Sequence, residues 1–403
     1  MWKLAFRNVF RHRGRTALSV AAIIIGVISL VISGGFVKDF LIQLREGTIH
    51  SQFGHLQIYR AGYSAMGSRS VYRYMIEDPQ EAILKVRRLD HVTNVTPRVN
   101  FSGLLSNGRV TFPIIGEGVD PEKERGISSS IKIIAGASLE QNLAGAMIVG
   151  QGVAQALNLK PGGSATLVLN TRAGALNSLD FQVIGIFQTF SKEYDERAIR
   201  IPLAAAEELL DTKAVHSLVV ALDETVQTDN VAKRLAQILP SSEFEIRPWY
   251  ELADFYGKAE NLYERYFFVL RLTIFGLVLL GVANSVNMTI YERTGEFGTL
   301  MALGNRRRSI LRLLMAENLI VGLLGSAAGV VLAIVLALAI SAIGIPMPPM
   351  PDSDSGYTAA VRLIPYEIEM SFLVGLLATC GAGLLPAWRA SRVSVVEALA
   401  RNV

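Results

Sequence analysis

Residues 291–324 read YERTGEFGTLMALGNRRRSILRLLMAENLIVGLL, and this stretch decides the architecture. It opens with Glu292, Arg293 and Glu296, passes through Ala302-Leu303-Gly304, and turns basic at Arg306, Arg307, Arg308 and Arg312. Apolar segments flank it on both sides, for residues 272–291 and 318–345 carry no charged side chain. A helix rises 1.5 Å per residue, so ~20 residues cross the hydrocarbon core of a bilayer, and both segments are long enough. A short Arg-rich loop between two spans stays in the cytoplasm. The stretch therefore reads as a short cytoplasmic helix hung between two crossings, stopped by Gly304-Asn305 and placed to receive force from a cytoplasmic partner. Glu292 and Glu296 stand at i and i+4, which puts them on one helix face.

Outward from there, two further runs, 17–37 and 370–388, are also free of charge. Lys3, Arg7, Arg11, Arg13 and Arg15 precede the first, and Arg389, Arg392 and Arg401 follow the last. The expected topology is four crossings with both termini in the cytoplasm. Its parts are an interfacial helix (1–16), the first crossing (17–40), an outer domain (41–262), a stalk end with the second crossing (263–291), and a coupling helix and loop (292–316). The third crossing (317–345), an outer loop (346–367), the fourth crossing (368–388) and a cytoplasmic tail (389–403) complete it. Trp2, Phe6, Val9 and Phe10 recur at helical spacing between the N-terminal cations, as in an amphipathic helix lying on anionic headgroups. Gly26, Ser29, Ser33, Gly34, Gly35 and the pair Gly325-x-x-x-Gly329 offer small surfaces for close helix packing. The outer loop is rich in Pro and acid (IPMPPMPDSDSG, 345–356).

Residues 41–262 have a different character, with charges of both signs and no long apolar run. Short β-type runs occur at 55–59, 110–115, 165–169 and 181–186, separated by turn residues at Asn107-Gly108, Pro161-Gly162-Gly163 and Asn177-Ser178. Helical periodicity appears at 79–89, 151–157, 203–210 and 228–239. The fold class is thus a membrane protein of four transmembrane helices with a large water-facing α+β domain. Only 18% of the 403 residues are charged and the net charge is +4, concentrated at membrane borders, which points to topology rather than nucleic-acid binding. Cys380 is the single cysteine, so intrachain disulfides and cysteine-based metal sites are excluded. Gly62 and Gly67 have phosphate-loop spacing, but Ser68-Arg69 follows where Lys-Ser/Thr is required, so no ATP hydrolysis is expected of these residues. His50 and His55 read as ordinary packed or surface residues rather than a metal pair, and no catalytic site is expected.

The string from Glu292 to Glu317, ER-x-x-E-F-G-x-L-x-A-L-G-x-x-R-x-x-I-x-x-x-x-x-x-E, resembles the signature of FtsX/MacB-type ABC transporter permeases. Leu385-Pro386-Ala387-Trp388-Arg389-Ala390-Ser391-Arg392-Val393 and Glu397-Ala398-Leu399 are similar to that family's C-terminus, and Arg7-Asn8-Val9-Phe10-Arg11 to its entry into the first helix. Ile148-Val149-Gly150, residues 156–162 and residues 181–187 look like its periplasmic core domain. Gly54-His55-Leu56-Gln57-Ile58 is similar to the lipoprotein-releasing LolC/LolE branch. The resemblance implies a bacterial inner-membrane permease working as a homo- or heterodimer. Its ATPase dimer is a separate partner that carries the ATP and Mg, with no cofactor on this chain. ATPase coupling falls to Glu292, Arg293, Glu296, Phe297, Leu300, Met301, Arg306 and Arg307. Candidate contacts for a lipoprotein, lipid or other amphiphile are Phe36, Phe40, Tyr266, Phe267, Phe268 and Leu270. Membrane lipids and a periplasmic chaperone or adaptor are the other implied partners. The alternatives are a MacB-like efflux permease and an FtsX-like scaffold that activates an outer-face hydrolase.

Overall fold

The computed structural model describes residues 2–11, 13–66, 71–139, 143, 145–348 and 356–390. The tail beyond Ala390, residues 349–355 of the Pro-rich loop and Gly67-Ser68-Arg69 lie outside the described residues. The principal helices are α1 (Trp2–Arg11), α2 (Arg13–Thr48), α3 (Pro79–Val86), α4 (Gln151–Ala156), α5 (Leu203–Leu210), α6 (Thr228–Ile238), α7 (Asp254–Glu292), α8 (Thr294–Ala302), α9 (Arg307–Ile343) and α10 (Pro365–Ala390). The chain divides into two compact units, one of Met1–Leu41, Glu260–Pro346 and Thr358–Val403, the other of Ile42–Ala259 with Met347–Tyr357.

In the first unit, α2, α7, α9 and α10 are each long and apolar enough to cross a bilayer. All four begin before their uncharged runs; α2 runs on furthest past the end of its run, and α7 starts furthest ahead of its own. No Gly or Pro interrupts the sequence between Val37 and Arg45, and Lys38, Leu41, Gln43 and Arg45 are good helix formers, so α2 continues to Thr48. α7 likewise starts at Asp254. The Arg cluster opens the next helix, residues 307–316 being the first turns of α9.

Small residues let the backbones close up. A Cβ at Gly26 would stand 2.6 Å from Val278, and one at Gly325 or Gly329 would meet Ile23 at 3.0 Å or Val27 at 2.9 Å. The hydroxyls of Ser29 and Ser33 donate back to the carbonyls of Ile25 and Ser29 in their own helix. On α1, Ala5 and Val9 are buried while Trp2, Leu4, Phe6 and Phe10 stay exposed. The outward apolar face is thus the expected one, except that Val9 turns inward.

In the second unit the strands are β1 (Leu56–Arg60), β2 (Val92–Ser106), β3 (Thr111–Val119), β4 (Lys132–Gly136), β5 (Ala146–Gly150), β6 (Ser164–Asn170), β7 (Leu176–Gln188), β8 (Ala198–Pro202), β9 (Ser217–Leu222) and β10 (Phe244–Pro248). Their order is β10-β1-β9-β2-β3-β8-β5-β7-β4, and β6 pairs with both β2 and β7. The ring β2-β3-β8-β5-β7-β6 therefore closes on itself as a small barrel, filled by side chains such as Phe101, Leu105, Met147, Leu167 and Val183. β2 is long enough to serve twice, pairing with β9 through Val92–Arg98 and with β3 through Arg98–Ser106. Asn107-Gly108 makes the expected turn, with Gly108 at φ +83°. Asn177-Ser178, expected as a turn, lies inside β7. The Asn177 amide donates to the Glu208 and Leu209 carbonyls, which satisfies a turn-forming side chain without a turn.

Candidate coupling site and its ion-pair centre

α7 ends at Glu292 because Arg293 leaves helical geometry (φ −97°, ψ 9°), and α8 starts one residue later. Glu292 and Glu296 consequently belong to different helices, which replaces the single shared face expected from their spacing. The end of α8 follows the sequence. Gly304 adopts φ +89°, its N–H donates to Met301 O at 3.0 Å, and the Asn305 N–H donates to Leu300 O at 3.0 Å. This is a Schellman closure, and a side chain at the left-handed position would cost roughly 1–2 kcal/mol.

Arg293 is only 6% exposed. Its guanidinium lies 3.0 Å from Glu317 Oε2 of α9 and 3.0 Å from Glu296 Oε2 of α8, and 5.2 Å from the centroid of the Phe297 ring. From α1, Asn8 Nδ2 donates to Glu317 Oε1 at 2.6 Å, and Arg11 Nη1 stands 3.4 Å from Glu296 Oε1. α8 and α9 thus meet at one arginine, and α1 braces the two carboxylates that hold it. A buried cation needs such partners, because without them its desolvation is prohibitive.

Two of the eight expected coupling residues are therefore not presented to a partner. Arg293 is consumed by this network, and Phe297 packs among Ile310, Leu314 and Ala387. Leu300 and Met301 are half-buried against the same cluster, whereas Glu292, Glu296, Arg306 and Arg307 are exposed. Arg306, Arg307 and Arg308 crowd the positive end of the α9 dipole, which disfavours the helix. The most exposed apolar side chain of the segment, Leu303 at 77%, was not among the expected residues. The signal was present, since a leucine immediately before a helix-ending glycine has no further turn to bury it.

The aromatic residues expected to meet cargo are also divided. Phe40 is buried with its ring centroid 4.9 Å from that of Tyr263, and Phe267 lies under Arg271, which pairs with Glu367. Both serve the bundle. Phe36 lines an apolar cavity of about 350 Å³ with Ile28, Ile32, Ile340 and Val361. Leu270 is half-buried, and Tyr266 and Phe268 are exposed.

The second unit has its own buried ion-pair centre. Arg98 of β2 meets Glu124 through Nε at 2.7 Å and Nη2 at 2.9 Å, and also donates to the Gln52 carbonyl. Arg200 of β8 donates to Ser51 O at 2.9 Å and Ser128 Oγ at 2.8 Å, and stands 2.8 Å from Glu117 Oε2. Together they grip the π-helical turn Ile49–Phe53 that follows α2. Burial alone would raise the Glu124 carboxyl, but Arg98 facing it holds it below its ordinary value. Nearby, His55 Nδ1 accepts from the Leu222 N–H at 3.1 Å and Nε2 lies 3.3 Å from Thr225 Oγ1. Burial, with His50 beside it, pushes His55 down to about 4. Both its ring nitrogens are engaged, as in a packed residue.

The described residues thus hold four helices long and apolar enough to cross a membrane, a short helix between the second and third, and a large α+β domain inserted after the first. Residues 16–238 match the MacB-like periplasmic core domain, and residues 268–395 match the FtsX-like permease C-terminal domain. The chain belongs to this MacB/FtsX family of ABC permeases. It is 24% identical, over 98% of its length and 96% of the relative's, to an uncharacterized ABC transporter permease of Methanocaldococcus jannaschii. It is 23% identical over 99% of its length to the macrolide export ATP-binding/permease protein MacB of Wolinella succinogenes, of which it spans 60%. It is 21% identical over 79% of its length to the lipoprotein-releasing system transmembrane protein LolE of Haemophilus influenzae, covering 80% of that protein. Membership of an ABC permease family implies an ATPase partner.

Proposed function

We propose that this chain is the permease subunit of an ABC transporter whose ATPase is supplied in trans, and that it extracts or moves a lipoprotein, lipid or other amphiphile at the outer face of the bacterial inner membrane. In this reading two permease copies pair, both termini and α8 lie in the cytoplasm, and ATP and Mg stay on the ATPase. The observation that carries it is the construction of the coupling segment. Its outer side offers Glu292, Glu296, Leu303 and Arg306, while its inner side is tied through Arg293 to Glu317. A push on the exposed side is therefore delivered to α9 rather than absorbed by a loose loop. The Phe36 cavity supports an amphiphilic cargo, since its apolar lining and volume suit an acyl chain.

The test is purification in mild detergent with the partner ATPase coexpressed. Leu303→Asp is expected to cut copurifying ATPase at least about tenfold, the size of a lost interface anchor, with membrane insertion unchanged. Undiminished copurification would overturn the docking surface. A MacB-like efflux unit with a periplasmic adaptor is the second reading, favoured by the alignment with MacB over 99% of this chain. Stimulation of the ATPase by lipoprotein supports the first reading, and capture of an adaptor the second.

A further inference from the structure

Arg312 is exposed on α9, and no ion pair or hydrogen bond is made to its side chain among the described residues. Arg312, Met315, Ala316 and Leu319 fall at i, i+3, i+4 and i+7, so they form one stripe along the helix. With Trp2 of α1 and Cys380 of α10 they line a cavity of about 390 Å³. Seven residues of rise make the stripe about 10 Å long. Its polarity is graded, with the guanidinium at the end nearest α8 and sulfur and aliphatic groups beyond it. Trp2 is 61% exposed at its edge, and an indole prefers the depth of the headgroups. Lys3 beside Trp2 and Arg308 one turn before Arg312 add positive charge, and the lining contains no acid. A cation leading into an apolar trough about 10 Å long matches a headgroup phosphate and the first half of an acyl chain.

We propose that this cavity holds one anionic phospholipid, with its phosphate on Arg312 and an acyl chain laid along Met315, Ala316 and Leu319 under Trp2. The lipid bridges α1, α9 and α10 in the leaflet on the side of the coupling segment. The site rests on α9 crossing a bilayer and not on which compartment α8 faces or on any ATPase. It and the coupling reading can therefore fail separately.

The test uses the full-length protein, delipidated in mild detergent and titrated with phosphatidylglycerol or phosphatidylcholine of identical chains, read by native mass spectrometry. The wild-type protein is expected to hold phosphatidylglycerol about fivefold more tightly, the worth of one cation near an anionic headgroup. Arg312→Ala is expected to abolish that preference and Arg312→Lys to keep most of it, while Trp2→Ala weakens both lipids alike. Equal affinity for the two lipids in the wild type overturns the proposal, as does a preference that survives Arg312→Ala. Arg312 has no partner within the described residues, so its replacement should leave the thermal midpoint in place. If the alanine variant does unfold, the neutral Arg312→Gln takes its place, and a preference that survives it overturns the proposal.

Discussion

The Arg98/Arg200 centre and the Arg293 centre are both buried ion-pair clusters, yet they are built to behave differently. Arg98 and Arg200 hang from neighbouring parts of a closed barrel, and each donates to a main-chain carbonyl, at Gln52 and Ser51, as well as meeting a carboxylate. A carbonyl cannot exchange partners unless its turn unfolds. Arg293 stands at a break between two helices, and its charge partners are side chains on α8 and α9, one of them the half-open Glu296. Those side chains can rotate. The first centre fixes a turn through its main chain, whereas the second ties helices together through charged side chains.

Removal of one guanidinium should expose the difference most sharply. Arg98→Met leaves Glu124 buried opposite a thioether, so the protein should lose about 3–5 kcal/mol of stability, the typical effect of stranding a buried charge. Arg293→Met should lose less, because Glu296 opens to solvent and Asn8 still donates to Glu317. Thermal midpoints of the two detergent-purified variants measure this, and equal shifts would erase the distinction.

Acid gives the next largest effect, and it should act on the second unit. His55 and His216 are both pushed down to about 4, His216 by burial, and its Nδ1 accepts from the Asn100 N–H at 3.1 Å. Unfolded, a histidine takes its proton near 6.5. Between these values the unfolded chain binds more protons than the folded one, so stability is complete above about pH 6.5 and declines as pH falls toward 4. Each histidine accounts for up to about 3 kcal/mol over that interval. His216→Leu should lower stability at neutral pH yet flatten the acid slope. A slope unchanged by this substitution would remove His216 from the account.

Much of this architecture was legible because its signals are local. The four uncharged runs and the Gly304 stop each depend on neighbours in sequence, and they reappear in the four long helices and at the end of α8. The inward turn of Arg293 and Phe297 was not legible. It depends on Glu317 and Asn8, which are 24 and 309 positions away from Arg293 and Glu317 respectively. The twofold use of β2 and the closure of the barrel through β6 were hidden for the same reason, since strand pairing over long separations leaves no periodic trace. Asn177 misled because an asparagine's backbone-seeking amide is satisfied equally well by a turn or by the end of a neighbouring helix.

The smallest effect separates the two carboxylates that share Arg293. Glu296 keeps 43% of its side chain exposed, and an ion pair open to water contributes about 0–1 kcal/mol, so Glu296→Gln should barely move the thermal midpoint. Glu317 is buried, and Glu317→Gln should cost more, because Arg293 would then face an amide in an enclosed site. If α8 is a latch, function should divide the other way from stability. Glu296→Gln loosens α8 from Arg293 on the exposed side, where a partner would bear, and should lower stimulated ATPase activity in the assembled transporter at nearly wild-type stability. A Glu296→Gln protein that lost stability and activity in proportion would make Arg293 a second fixed joint, built like the one around Arg98.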